Sequence, residues 1–208
     1  MMQKLDLTKT DKTYYSAKSV PQLVNLQPAR YISIQGKGDP DGLAFGTNVQ
    51  ALYATAYLLK FVHKANGNDF TVPKLEGLWW YDKELQPLME LANTPVAIPR
   101  EQWHYRLLIR LPDFVTTDEI LTATAKVVSE KQLSQAQNVK YFELHEGKCI
   151  QIMHTGPFSE EPRTLAIIAS FAKQHQLEQN GYHHEIYLSD FRKTPSEKLR
   201  TILREPVK

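Results

Sequence analysis

One cysteine, Cys149, stands in a chain of 208 residues. No internal disulfide can form, and a reducing compartment, the cytoplasm, is the expected location. Long apolar runs are missing too: nothing approaches the roughly 20 residues of a bilayer span. The opening stretch, MMQKLDLTKTDKTYY, lacks the apolar core of a signal peptide. No membrane partner is expected. Nor does charge of one sign dominate, since 25 Lys plus Arg balance 23 Asp plus Glu and no five-residue basic run occurs. A nucleic-acid partner is therefore not expected. Familiar catalytic signatures are scarce as well. GKGDPDG has neither the spacing of a dinucleotide loop nor the Gly-Lys-Ser/Thr ending of a phosphate loop. The seven histidines include no HExxH, and the neighbours His183 and His184 point to opposite faces of a strand. No metal and no cofactor are expected. A G-x-S-x-G elbow is absent, and Cys149, in an apolar run, reads as a buried, inert thiol.

What is present is an ordinary globular composition, 42% hydrophobic and 23% charged. Residues 1–28 end in a Pro-punctuated segment, SVPQLVNLQPAR, that packs along the domain rather than forming a helix. RYISIQGKG alternates as a strand and GKGDPDG is a dense turn signal, with Asp41 placed to cap the following helix. Phe45, Val49, Leu52, Ala56 and Leu59 recur on one face of that helix, and Tyr53 and Tyr57 form a second edge. KLEGLWWYD and QWHYRLLIR read as strands, the second with Trp103, Tyr105, Leu107 and Ile109 on one face. Thr116 and Glu119 have capping-box spacing ahead of a helix. VKYFELHEGKCIQIMHTG reads as a hairpin turning at Glu146-Gly147. A helix with Pro162 in its first turn follows, then the strand GYHHEIYLSD. TPSEKLRTIL is expected to close the chain as a short helix, with Thr194 as cap and Glu197 completing the box.

The expected fold class is α+β, built from strand–helix–strand units with antiparallel sheets. YISIQGKGDPDG–helix–EGLWWYD parallels CIQIMHTGPFSEE–helix–HEIYLSD, a pattern consistent with duplication around a pseudo-twofold axis. Chemistry has few places to reside. Glu76, Trp79, Trp80, Trp103, Tyr105, Tyr182, Glu185 and Tyr187 set carboxylates among aromatics on strands. A carboxylate on an aromatic strand face needs a partner or water, and a cleft supplies either. Trp79 and Trp80 must point to opposite faces, so either one of them lies on a surface or the strand has a second apolar side to face; alternation leaves open which tryptophan does which.

YISIQGKGDPDG, KLEGLWWYD, MHTGPFSEEPRTLAII and above all HEIYLSDFRKTPSEKLRTILREPV resemble the GyrI-like small-molecule-binding domain, in its stand-alone branch without a DNA-binding module. The resemblance implies a single domain over residues 29–208, made of two modules, about 29–111 and 112–208, with a ligand cleft at their interface. It implies a flat aromatic or cationic small-molecule partner and a binding glutamate at Glu185. It also points to the cyclopropanoid cyclopropyl hydrolases, which open the cyclopropane of DNA-alkylating compounds such as yatakemycin inside an aromatic cage. On that reading Glu185 and Tyr187 are catalytic, while Glu76, Trp79, Trp80, Trp103, Tyr105 and Tyr182 bind ligand. A non-catalytic module that sequesters or senses such a molecule is the alternative.

Overall fold

The structure, a computed structural model, describes residues 4–82 and 97–208. Its framework is one eight-stranded sheet in the order β1-β6-β8-β7-β3-β4-β2-β5, with every pairing antiparallel. In chain order the strands are β1 (Gln22–Leu26), β2 (Ala29–Lys37), β3 (Leu75–Trp80), β4 (His104–Arg110), β5 (Lys140–Leu144), β6 (Gly147–Thr155), β7 (His183–Tyr187) and β8 (Arg200–Pro206). The helices are α1 (Leu7–Thr10), α2 (Lys12–Tyr15), α3 (Leu43–Ala65), α4 (Thr117–Lys131) and α5 (Glu161–Gln174).

The sheet order reads the same from both ends once β1 to β4 are matched with β5 to β8. Each half runs strand, strand, helix, strand, strand. The first strand of each half leaves to pair with the second strand of the other, as β1 does with β6 and β5 with β2. Only residues 27–28 join β1 to β2 and 145–146 join β5 to β6, although each pair spans most of the sheet order. Two residues reach only about 7 Å, so the sheet curls until its ends approach. The match extends to single positions. Gly38 and Gly156, after β2 and β6, both have positive φ, 126° and 137°, where a side chain would strain the backbone. In the same frame Trp79 corresponds to Tyr187, Gly77 to Glu185 and Glu76 to His184.

The two faces of the sheet are covered differently. On one, Ile34, Leu107, Ile109 and Trp79 pack against Leu52, Ala56 and Leu59 of α3 and Ile120 and Val127 of α4. Farther along that face, Ile150, Ile152 and Leu203 pack against Leu165 and Ile168 of α5. The opposite face is closed by the N-terminal segment, whose Tyr14 and Tyr15 join Tyr31, Leu78, Leu108, Ile186 and Ile202. The segment 21–28, expected as part of an extension, supplies the edge strand β1.

Three local expectations are corrected. Glu146-Gly147 is not a hairpin turn, because β5 and β6 pair with different strands; the chain there crosses the curled sheet. TPSEKLRTIL is not a helix: only Ser196–Lys198 makes a 3-10 turn, and β8 follows as an interior strand. From Thr201 to Pro206 it is buried throughout, so it has no alternation to advertise a strand. Asp41 does not cap α3; Gly42 occupies that position without a side-chain bond, while Asp41 accepts from Arg100 at 2.8 Å. The Thr116–Glu119 capping box is present, and Pro162 lies in the first turn of α5.

Candidate functional site

A cavity of about 570 Å³ lies over β3 and β7, between Phe45 of α3 and Glu161 and Leu165 of α5. Its floor follows from the two-residue period of the strands. Leu75 and Trp79 of β3 share it with His183, Glu185 and Tyr187 of β7. Trp103, just ahead of β4, stands edge-on to Trp79 with ring centres 5.9 Å apart and an 81° tilt. Phe45 stacks on Trp79 at 6.0 Å, and Phe158 meets Tyr187 edge-on at 5.9 Å. The turn carrying Phe158 and the start of α5 are tied down by buried His154, which contacts Thr164 Oγ1 at 2.9 Å and the Pro157 carbonyl at 3.2 Å. At the mouth Arg100 bridges Asp39 and Asp41, at 3.1 and 2.8 Å, so its charge is already paired.

A chain of polar contacts crosses the floor. Trp79 Nε1 donates to the Tyr187 hydroxyl at 3.1 Å. Burial, and then the adjacent Glu185 carboxylate, push the Tyr187 phenol well above its ordinary pKa, so it serves as a hydrogen-bond donor and not as a phenolate. His183 Nε2 lies 3.2 Å from Glu185 Oε1, and His183 Nδ1 is hydrogen-bonded to Glu205 of β8. Glu161, across the cavity, is 8% exposed, and its Oε1 has no hydrogen-bond partner among the described residues. Burial, reinforced by the charge of Glu185, pushes its pKa well above the usual carboxylate range and favours its protonated form. The cavity thus combines apolar walls with one carboxyl that favours its proton and a second, Glu185, at ion-pair distance from His183.

Of the sequence-predicted residues, Glu185, Tyr187, Trp79 and Trp103 line this cavity. Tyr105 is buried beneath it, in edge contact with Phe45 at 4.9 Å and accepting from Asn48 Nδ2 at 3.1 Å. Glu76, Trp80 and Tyr182 are elsewhere, on the opposite face of the sheet. Trp80 is stacked between His104 and Tyr182, at 5.6 and 4.7 Å. It is therefore Trp79 that faces the cleft, and the expectation that Glu76 and Trp80 would join it is corrected by strand alternation.

Glu76 belongs to a fully buried ionic network instead. It accepts from Tyr14 at 2.5 Å, Tyr15 at 3.1 Å and His184 Nε2 at 3.0 Å. His184 Nδ1 contacts Glu146 at 2.9 Å, and Arg204 binds Glu146 at 3.2 Å and the Tyr14 carbonyl at 2.7 Å. Burial opposes the charge on Glu146, but His184 and Arg204 outweigh it and bring its pKa to about 2. Two carboxylates and two cations balance, as a water-free site demands.

Sequence reasoning missed Glu161, His183 and Glu205 as members of the cavity region. The same-face spacing of His183 and Glu185 was available as a signal; Glu161 and Glu205 come from elements whose neighbours only the fold reveals.

Among the described residues no group of metal-ligating side chains suited to an ion occurs, and no helix is long and apolar enough to cross a membrane.

The fold and cavity define a duplicated α+β domain with a pocket between its halves. The GyrI-like small molecule binding domain family matches residues 109–208. A crystal structure of an uncharacterized conserved protein from Listeria innocua is 37% identical, with a TM-score of 0.87 over 99% of this chain and 100% of its own. A crystal structure of a hydrolase from Listeria innocua, also 37% identical, has a TM-score of 0.84 with the same coverage of each chain. The EcmrR C-terminal domain, 13% identical over 90% of this chain and 96% of its own, shares the fold with a TM-score of 0.54. No curated protein matches the chain. The chain belongs to the GyrI-like small-molecule-binding family.

Proposed function

We propose that the cavity binds a planar aromatic or cationic small molecule and adds water to an electrophilic one, in a single ligand-binding domain whose two modules are completed by β1 and the N-terminal tyrosines. The substrate class implied by the family resemblance is a cyclopropanoid alkylator of the yatakemycin type, and its hydrolysis would protect the cell. The observation that carries this reading is the pairing of Glu161 and Glu185 inside one aromatic cavity, their environments differing. A carboxyl that favours its proton beside a second one lets a single site combine acid and base chemistry. Two structures 37% and 36% identical to this chain, each described as a hydrolase, support the reaction type.

In the proposed reaction Glu185 orients a water and accepts its proton as the water oxygen bonds to the cyclopropane carbon. The strained carbon–carbon bond breaks, and its electron pair moves through the conjugated system to the carbonyl oxygen. Glu161 in its protonated form donates to that oxygen, where negative charge develops. Once the product leaves, the proton taken by Glu185 passes to Glu161, which restores both carboxyls, so the net change is the addition of one water. Trp79, Trp103, Phe45 and Phe158 supply stacking area and exclude bulk water. Tyr187, turned toward Glu185, orients the base.

Mass spectrometry of a cyclopropanoid after incubation tests this reading: a gain of one water is expected. Unchanged mass with retained binding would overturn hydrolysis and leave a binding module. In Glu185→Gln, turnover is expected to fall by roughly 10²–10⁴ with binding of neutral ligands kept; wild-type turnover in that variant removes Glu185 from the mechanism.

A further inference from the structure

Two groups take no part in this scheme: His183, which lines the cavity floor, and Glu205 behind it. His183 sits two residues before Glu185 on the same face of β7. Its ring lies between two carboxylates: Nδ1 is hydrogen-bonded to Glu205 Oε1, and Nε2 stands at ion-pair distance, 3.2 Å, from Glu185 Oε1 without hydrogen-bond alignment in this structure. Glu205 projects from β8, the strand adjacent to β7, and is only 3% exposed. It does not line the cavity and is separated from ligand by the imidazole. A neutral imidazole has one N–H, so it can face only one carboxylate with a proton. Between two carboxylates, the doubly protonated ring presents a positive N–H toward each.

We infer that Glu205 and His183 are positioning residues for Glu185: Glu205 keeps the imidazole doubly protonated, and the imidazolium pins one oxygen of Glu185, leaving the other for water. The inference rests on the reading of Glu185 as the working carboxylate. Of the other titratable groups that line the cavity, Glu161 of α5 interacts with the ring; Tyr187 of β7, Tyr81 beyond β3, Asp41 and Arg100 share the same lining. Burial opposes a charged ring, but Glu205 and Glu185 outweigh it, and the His183 pKa is raised well above its ordinary value. The Glu205 carboxylate is itself buried, so the imidazolium is also what makes its charge tolerable there.

The pair makes a definite statement about pH. While His183 is charged, Glu185 is held; as pH rises through the raised value, the ring loses a proton and Glu185 loses its clamp. Substituting Glu205→Gln keeps the shape and removes the charge. Ring-nitrogen NMR of the full chain between pH 5 and 10 is the first measurement. The His183 titration is expected to lie above the ordinary histidine value and to fall by about 1–3 pH units in Glu205→Gln, the usual effect of losing an adjacent opposite charge. Steady-state hydrolysis is the second. In Glu205→Gln kcat is expected to fall about tenfold or more, KM to stay within about twofold, and the alkaline limb of the rate profile to move to lower pH. Glu205→Asp, which retains the charge, should restore most of that limb. A His183 ring that titrates at its ordinary pH in the wild type overturns the inference, even if Glu205→Gln fails to fold. So does an unmoved titration in Glu205→Gln. If the wild type leaves cyclopropanoids unchanged, the hydrolase reading fails separately, and the NMR titration still decides the pair.

Discussion

Gly77 offers a direct test of how closely the cavity floor is packed. It lies on β3 opposite Glu185 and on the same face as Trp79. A β-carbon there would come within 2.9 Å of Trp79 Nε1 and 3.0 Å of the Tyr187 hydroxyl, the two atoms that bond across the floor. Gly77→Ala therefore drives a methyl group against the Trp79–Tyr187 hydrogen bond. Overpacking of this kind costs about 1–3 kcal/mol, and the lost bond adds about 0.5–1.5 kcal/mol. Alanine also lowers the entropy of the unfolded chain, which offsets about 0.4–1 kcal/mol. The net is about 0.5–4 kcal/mol of destabilisation, a fall in Tm of roughly 1–16 °C for a chain of this size. Gly46 provides the control. It lies within α3, and a β-carbon there meets nothing within 4 Å. Gly46→Ala should raise stability by about 0.5–1 kcal/mol through helix propensity. Calorimetry of the two variants, with ligand affinity measured on each, separates a packing clash from a generic glycine effect. If Gly77→Ala melts at or above the wild-type temperature and binds ligand equally well, the packing argument for the cavity floor is refuted.

The three tryptophans should separate. Trp80→Ala is expected to leave ligand affinity within about twofold, because its ring stacks on the far face, whereas Trp103→Ala should stay folded and bind up to about tenfold more weakly. Trp79→Ala should lose both affinity and about 3–5 kcal/mol of stability, since Trp79 is 7% exposed and part of the core as well as the cavity; equal affinity in all three variants would reject the aromatic cage. Acid titration of stability tests the buried network. Glu146, with a pKa lowered to about 2, contributes stability above the ordinary Glu value of about 4.5, and this should fade as pH drops toward 2. In Glu146→Gln that portion of the acid limb should be shallower, as followed by denaturant unfolding.

Much of the fold was legible because the two periods were strong. The face of α3 bearing Leu52, Ala56 and Leu59 and the face of β4 bearing Tyr105, Leu107 and Ile109 are buried as their spacing predicts. The repeat of strand, glycine turn and helix anticipated the duplicated sheet. The failures share one cause: local signals do not report which strand a segment will meet. TPSEKLRTIL carries a plausible cap, but the sheet needs a strand between β6 and β7, and pairing with both outweighs propensity. Likewise Glu146-Gly147 looks like a turn, but its flanking strands answer to partners in opposite halves. In the site, alternation separated Trp79 from Trp80 but could not say which side held the cavity. Tyr14, Tyr15 and Arg204 gave no sequence sign that they would enclose Glu76, because that enclosure joins the first residues of the chain to the last strand.

The matching of Trp79 with Tyr187 and of Glu76 with His184 has a bearing on why both halves occupy one polypeptide. In a dimer of identical halves, each of these positions would confront its own copy across the axis. Two indole N–H groups would meet with no acceptor between them, and two carboxylates would repel where no water can intervene. Joining the halves in one chain lets a donor stand opposite an acceptor, as Trp79 does with Tyr187, and an acid opposite a base, as Glu76 does with His184. Symmetry supplies the scaffold, and its breaking at the axis supplies the polarity: a molecule entering above β3 and β7 meets indole on one side and phenol and carboxylate on the other. Such a pocket can hold an asymmetric ligand in one orientation, which a perfectly twofold pocket cannot.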